Sequence, residues 1–449
     1  MIGKKWAVSF VSMVSLCLLA SCGGSGGSSP TANVPLTKDS YAVSTLARNT
    51  APAVVATDYS TAVAGTTTFA LRAFPLLDSN LNHNTFFSPY GITGNFLLLA
   101  PGANGMTFTG IQQALSFSQS PDLLYPAFDK LDLLIASETS GTTLTNGLHT
   151  PSLVTANAIW TQNTTKVLSA YLDTLAVNFG EGIHQLNFAA SNASTIINDW
   201  VAQNTNNLVQ GLIPASSVSA ATRMVLTNAT LFEADLASPF NPSNTANKTF
   251  YNRNGSTASV PQMQTVFSSL PYTGTSGYKA VELPYAGGLL SLVVIEPAAG
   301  TFDTFANNFT PAVLSSITSG LSATTVDLTL PKFSFSQSPA MKSILQSLGM
   351  SSAFASGQAD FSKIDGVTDL YLGDIFHQAY VSVSEGGTVT AVATGTLPPS
   401  RTTSAPSAFP SGGGVSLTQT MVVDHPFIFL IRERSTGLIL YLGKVVSLS

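Results

Sequence analysis

Charge is what this chain has least of. Its 449 residues carry 18 Lys and Arg against 23 Asp and Glu, a net charge of -5. Without a basic excess there is no electrostatic footprint for nucleic acid or for a heparin-like polyanion, and neither is expected as a partner. Cysteine is nearly absent, at Cys17 and Cys22 alone. Cys17 falls in an apolar leader, so the mature chain can form no internal disulfide and its fold must be held by the core. Histidine is scarce too, and His83, His149 and His184 are scattered without metal-ligand spacing. No phosphate-binding or dinucleotide loop is present, so neither a metal nor a cofactor is expected. What the chain does have is apolar mass, 44% of its residues, enough for one large or two smaller cores. No internal repeat divides it.

Lys4 and Lys5 precede an apolar stretch from Trp6 to Ala20 and then small residues, the pattern of a secretory leader rather than of a membrane span. Leu19-Ala20-Ser21-Cys22 resembles the bacterial lipobox. That resemblance implies removal of residues 1–21 and lipid modification of Cys22 as the first mature residue. It also implies a place in the cell envelope, anchored to a membrane and facing periplasm or exterior. From Gly23 to about Asn49 the residues are mostly Gly, Ser, Pro, Thr and Asn, which bury too little apolar surface to order themselves. Residues 22–58 are therefore expected to be a flexible tether, and 59–449 a single folded domain. Within the tether, Gly23-Gly24-Ser25-Gly26-Gly27 matches the G-x-S-x-G hydrolase pattern. No strand precedes it and no helix follows, so it carries no chemistry.

In the folded part, Phe69, Ala70, Ala73, Leu76 and Leu77 have helical spacing, and this stretch leads to Phe86-Phe87-Ser88-Pro89-Tyr90-Gly91-Ile92. Met224 to Phe232 reads as a strand with Asn228 at its middle. Tyr278 to Pro284 and Leu289 to Ile295 form a hairpin around Ala286-Gly287-Gly288. Ser338-Pro339 starts a helix with Met341, Ile344, Leu345 and Leu348 on one face, closed by Gly349. Ile375 to Val383 alternates as a half-buried strand, and period two puts His377 on the buried face with Ile375, Ala379, Val381 and Val383. After it, Ser384 to Gly395 is strand-compatible but runs into Leu397-Pro398-Pro399-Ser400-Arg401-Thr402 and a Ser/Pro/Gly-rich stretch to Gly414, which reads as exposed loop. Such a segment can live outside a sheet or inside one.

These elements, followed by Asp424-His425-Pro426-Phe427-Ile428-Phe429 and Leu440-Tyr441-Leu442-Gly443-Lys444-Val445, come in an order that resembles the serpin family from about Tyr59 to the C-terminus. The resemblance implies an α+β serpin fold, three β-sheets with surrounding helices, and an exposed reactive-centre loop at about 385–415. It implies a monomeric suicide-substrate inhibitor of serine endopeptidases, not an enzyme. Glu385, Gly386, Gly387, Thr388, Val389, Thr390, Ala391, Val392, Ala393 and Thr394 match the family hinge. The family's usual distance from the hinge Glu puts the scissile bond at Arg401–Thr402, and Arg at that place suits a trypsin-like protease as partner. Ser88, Asn228 and His377 match the shutter, a polar cluster beneath the sheet that controls its opening.

The chain departs from the family pattern at several points. Gly91 replaces a usual shutter Ser, which thins that network, and Leu236 stands where a Trp is normal at the breach, the loop's point of insertion. Val389, Thr390 and Val392 are bulkier than the usual Ala, and extra methyls in a tight slot slow insertion. Pro398 and Pro399 cannot donate to a central strand. These departures motivate the alternative of a non-inhibitory serpin, either a cell-surface binding module or a plain protease substrate. His425 follows Asp424 directly. Neighbours on a strand point to opposite faces, so no orienting hydrogen bond between them is expected.

Overall fold

The computed structural model describes residues 41–78, 82–390 and 418–449. In chain order the first elements are β1 (Tyr41–Ala42), α1 (Ala56–Ala73), β2 (Thr85–Phe87), α2 (Pro89–Leu99), α3 (Gly105–Leu115), α4 (Pro121–Glu138), β3 (Ser152–Gln162), α5 (Ser169–Phe179), β4 (Ile183–Leu186) and α6 (Ala193–Asn204). Then come β5 (Met224–Asp235), β6 (Ala246–Tyr251), β7 (Thr257–Gly274), β8 (Tyr278–Pro284), β9 (Leu290–Pro297), α7 (Phe302–Asn307), α8 (Pro311–Gly320), β10 (Ser322–Pro331) and β11 (Phe333–Gln337). The rest are α9 (Met341–Leu345), α10 (Ser362–Asp365), β12 (Leu372–Val383), β13 (Gly387–Thr390), β14 (Gln419–Val422), β15 (Phe427–Glu433) and β16 (Ile439–Val445).

Hydrogen bonds join the strands into two sheets, one of seven in the order β1-β4-β3-β5-β13-β12-β11 and one of nine along β14-β10-β7-β8-β9-β15-β16-β2 with β6 on β7. The three sheets expected are counted as two because β7, 18 residues long, pairs with β6 at one end, β10 along its middle and β8 at the other. The main apolar core includes Phe69, Phe86, Phe96 and Phe429, with side chains from both sheets. A second, smaller cluster around Trp160, Phe188, Ile197, Val201 and Val225 involves α6 and the seven-stranded sheet. That sheet is thus covered on both faces, which is why β5 reads as a nearly unbroken buried run rather than an alternation.

α2 explains its own position. Pro89 opens it and the Ser88 hydroxyl caps it by accepting from the Gly91 N–H, while every residue but Gly94 is buried. A helix apolar all round must lie inside, and this one packs against β3, β5 and β16. The helix expected from Ser338-Pro339 begins later, at Met341. Its apolar face of Met341, Ile344, Leu345 and Leu348 is buried, and it breaks at Gly349 with φ of 117°.

Residues 41–58 are not tether. Tyr41 and Ala42 pair with His184 and Ile183, and the Asn49 N–H donates to the Val177 carbonyl at 2.8 Å. Arg48 reaches two carboxylates on α4, Asp129 at 2.7 Å and Asp132 at 2.5 Å. Average composition concealed this because two side chains decide it: Asp129 is buried and needs a counter-charge, and Tyr41 donates to Glu181 while accepting from the Gly182 N–H. Cys22 and the G-x-S-x-G match lie outside the described residues.

Candidate functional site

The site is a fork in the seven-stranded sheet. β5 and β12 run parallel and pair directly from Met224↔Leu372 up to Ala229↔Gln378. Beyond that rung they part, and β13 lies between them, antiparallel to both. It pairs with β5 from Gly387↔Asp235 to Thr390↔Phe232, and with β12 at Val389↔Ser382 and Thr388↔Val383. The first part of the segment that could live inside or outside a sheet is therefore inside one.

A tight turn carries the chain from β12 into β13, with reciprocal Ser384–Gly387 backbone hydrogen bonds of 3.0 and 3.2 Å. Its two outer carbonyls and its carboxylate are held. The carbonyls of Glu385 and Gly386 accept from the N–H groups of Phe240 at 2.9 Å and Leu236 at 2.8 Å. The Glu385 carboxylate lies 2.8 Å from Lys332 Nζ and accepts from the Thr245 hydroxyl at 2.8 Å. Burial pushes that carboxyl up, but the Lys332 and Thr245 bonds outweigh it and hold it below the usual range. Leu236, at the place of the expected Trp, is buried and bridges to Tyr285.

Gly387 is required by contact. A Cβ there would stand 2.0 Å from the Ala234 carbonyl oxygen, far inside van der Waals range. Thr388, 1% exposed, faces the core as period two predicts and accepts from the Tyr285 hydroxyl at 2.7 Å. Val389 is half-buried. Ala391, Val392, Ala393, Thr394, Arg401 and Thr402 lie outside the described residues, as does the Thr390 side chain.

One rung below the last direct pair of the fork sit Asn228 and His377, opposite each other. The Ser88 N–H donates to His377 Nε2 at 3.4 Å, so the proton is assigned to Nδ1, which donates to Asn228 Oδ1 at 2.6 Å. Asn228 Nδ2 in turn donates to Asn157 Oδ1 at 2.5 Å. The Ser88 hydroxyl donates to the Leu440 carbonyl at 2.8 Å. A single chain of bonds therefore ties α2, β16, β12, β5 and β3 at the crotch of the fork. Burial lowers His377 to about 4, which keeps the ring neutral. Both ring nitrogens are used and no nucleophile meets them among the described residues, so the histidine's part here is structural.

Ser88, Asn228 and His377 are thus brought together. Asn157 completes the chain and sequence reasoning missed its role, although a lone Asn between alanines mid-strand was a usable signal. Gly91 does not simply thin the cluster: a Cβ there would meet Asn228 Nδ2 at 2.9 Å and Ser88 Oγ at 3.0 Å, so its absence lets α2 close on β5. Lys332, Thr245 and Tyr285 could not have been found, because each reaches the hinge from a distant strand or turn.

The expectation for Asp424 and His425 is overturned. Both lie between β14 and β15 rather than within a strand, and His425 Nδ1 stands 2.8 Å from Asp424 Oδ1. Outside the regular pleat, adjacent side chains can converge.

The fold and this fork define the class. The chain matches the family described as "Serpin (serine protease inhibitor)" over residues 64–448, and it belongs to that family. It is 32% identical over 387 residues to Serpin B9 of Homo sapiens, covering 85% of this chain and 97% of that protein. An uncharacterized serpin-like protein of Thermococcus kodakarensis is 31% identical over 368 residues, 82% of this chain and 81% of the relative. Among solved structures, the thermophilic serpin tengpin in its native state superposes with a TM-score of 0.75 at 23% identity, covering 90% of this chain and 98% of that one.

Proposed function

We propose that this serpin is a suicide-substrate inhibitor of trypsin-like serine endopeptidases, cut at Arg401–Thr402. The observation that carries the reading is β13, which already occupies the gap between β5 and β12 while the chain on the far side of the loop is held as β14, parallel to β10. A loop held at both ends cannot advance into the sheet without either a cut or the release of β14. A protease that forms its acyl-enzyme on Arg401 removes the first obstacle. Residues from Ala391 onward then follow β13 down the gap, replacing the direct parallel rungs with antiparallel ones on both sides. The tethered enzyme is dragged along before its ester hydrolyses, and inhibition is kinetic trapping. Lipid on Cys22 would keep the molecule on a bacterial envelope membrane, with the tether ahead of Tyr41 giving it reach.

Incubation with trypsin tests this directly. An SDS-stable covalent complex and a released fragment beginning at Thr402 are expected; recovery of cleaved chain alone would reject trapping.

A second reading, a non-inhibitory serpin serving as a substrate or surface binding module, is favoured by one feature of the fork. Val389 brings more bulk than Ala to a gap that direct rungs close from Ala229↔Gln378 downward, and Val392 follows it in the sequence. Cleavage without any complex, and without gain in stability, is its signature.

A further inference from the structure

Away from the fork, three acceptor atoms converge where the chain leaves β14 for β15. His425 Nε2 lies 2.8 Å from the Pro297 carbonyl, a bond that needs the proton on Nε2. In that tautomer the Nδ1 lone pair faces Asp424 Oδ1 at 2.8 Å and Glu296 Oε1 at 3.3 Å. Glu296, next to last in β9, is 5% exposed, and its Oε1 has no hydrogen-bond donor. Three acceptors this close repel one another unless a proton or a metal ion sits among them. The nearby side-chain cations are engaged: Lys279 donates to the Thr420 carbonyl at 2.9 Å, and Arg253 pairs with Asp303 at 2.7 Å. A proton on Nδ1 could serve Asp424 but would leave Glu296 Oε1 without a directed partner. A metal ion could serve all three.

The spacing suits one class of ion. Donors around a tetrahedral zinc, with bonds of about 2.0–2.1 Å, stand about 3.3 Å apart. Glu296 and His425 have that separation, Asp424 is slightly closer, and all three ligand atoms lie within 4.8 Å of one another. One imidazole nitrogen with two carboxylates favours zinc-class ions over calcium and magnesium, which prefer all-oxygen shells. Asp424 and His425 also line a cleft of about 500 Å³, which gives an ion a route in and room for a water ligand.

We propose that Glu296, Asp424 and His425 form a binding site for a zinc-class divalent cation. The Pro297 carbonyl fixes the ring so that Nδ1 is presented to the ion. The ion cross-links the end of β9 to the segment just after β14, clasping the strand to which the loop returns. This site stands whether or not the loop traps a protease.

Calorimetric titration of the full-length chain with Zn2+ is expected to show one equivalent bound and a raised melting temperature. Co2+ in its place should give the visible absorption bands of a four-coordinate ion. Glu296→Gln keeps the shape and removes the charge, and should weaken binding by more than about tenfold. Asp424→Asn, at a more exposed position, should do the same with the fold intact by circular dichroism. Absence of zinc binding to the unmodified chain would mean that the trio holds only a proton and would overturn the proposal. Equal affinity in both variants would also overturn it, by locating the metal elsewhere.

Discussion

His377 makes its hydrogen bonds where almost no water reaches, between the Ser88 N–H and Asn228 Oδ1. Its burial lowers the ring to about 4, while the unfolded chain takes up that proton near 6.5. The unfolded state thus binds more protons in between, so the neutral ring contributes stability that is complete above pH 6.5 and lost as pH falls toward 4. The loss is on the order of 3 kcal/mol by pH 4. His377→Gln removes the titration. Its deficit relative to the unmodified chain should shrink on acidification between pH 6.5 and 4 in urea melts, and a constant deficit would mean that the ring does not titrate in this way. Most of this site was legible: period two buried His377, and Asn228 stood out mid-strand. Asn157 was not singled out, because whether a buried amide meets another depends on strand register. The same limit hid the trio of Glu296, Asp424 and His425, because Glu296 near the end of β9 meets the adjacent Asp424 and His425 only through the fold.

At the scale of elements, β12 and β13 form a hairpin whose second strand is a wedge. The alternation of Ile375 to Val383 is present as read, extended by three residues at its start. The segment after it suits either environment, since its residues are small and β-compatible, and the loop expected to be exposed from about 385 is instead strand at Gly387–Thr390. Contact decides it: Gly387 passes so close to the Ala234 carbonyl that any side chain would push β13 away from β5. Gly387→Ala should therefore expel the wedge. Hydrogen exchange would report it as lost protection at the Thr388 and Val389 amides with little change at His377 and Gln378. Retained protection at Thr388 would show that the strands can spread to admit the methyl.

For the whole molecule, the fork means that the sheet is held partly open by its own chain and closed below by a polar cluster. Further insertion would break the direct β5–β12 rungs but form two ladders in their place and bury more side chains. Cleavage at Arg401 should accordingly raise the melting temperature, and calorimetry before and after limited trypsin treatment checks it. An unchanged midpoint would mean that the wedge stops where it is, leaving a substrate rather than an inhibitor.

The sequence by itself determined which segments are strands and helices, which faces they bury, and the family, because side-chain periodicity and the order of elements are local properties of the chain. It misjudged 41–58, where two side chains outweighed the average composition. Only the tertiary structure decided that the hinge begins inside the sheet, that Tyr285, Lys332 and Thr245 hold it, that Asn157 joins Asn228, and that Asp424 turns toward His425. Those outcomes depend on which backbone donors and buried charges on distant strands are left needing a partner, and no local pattern records that.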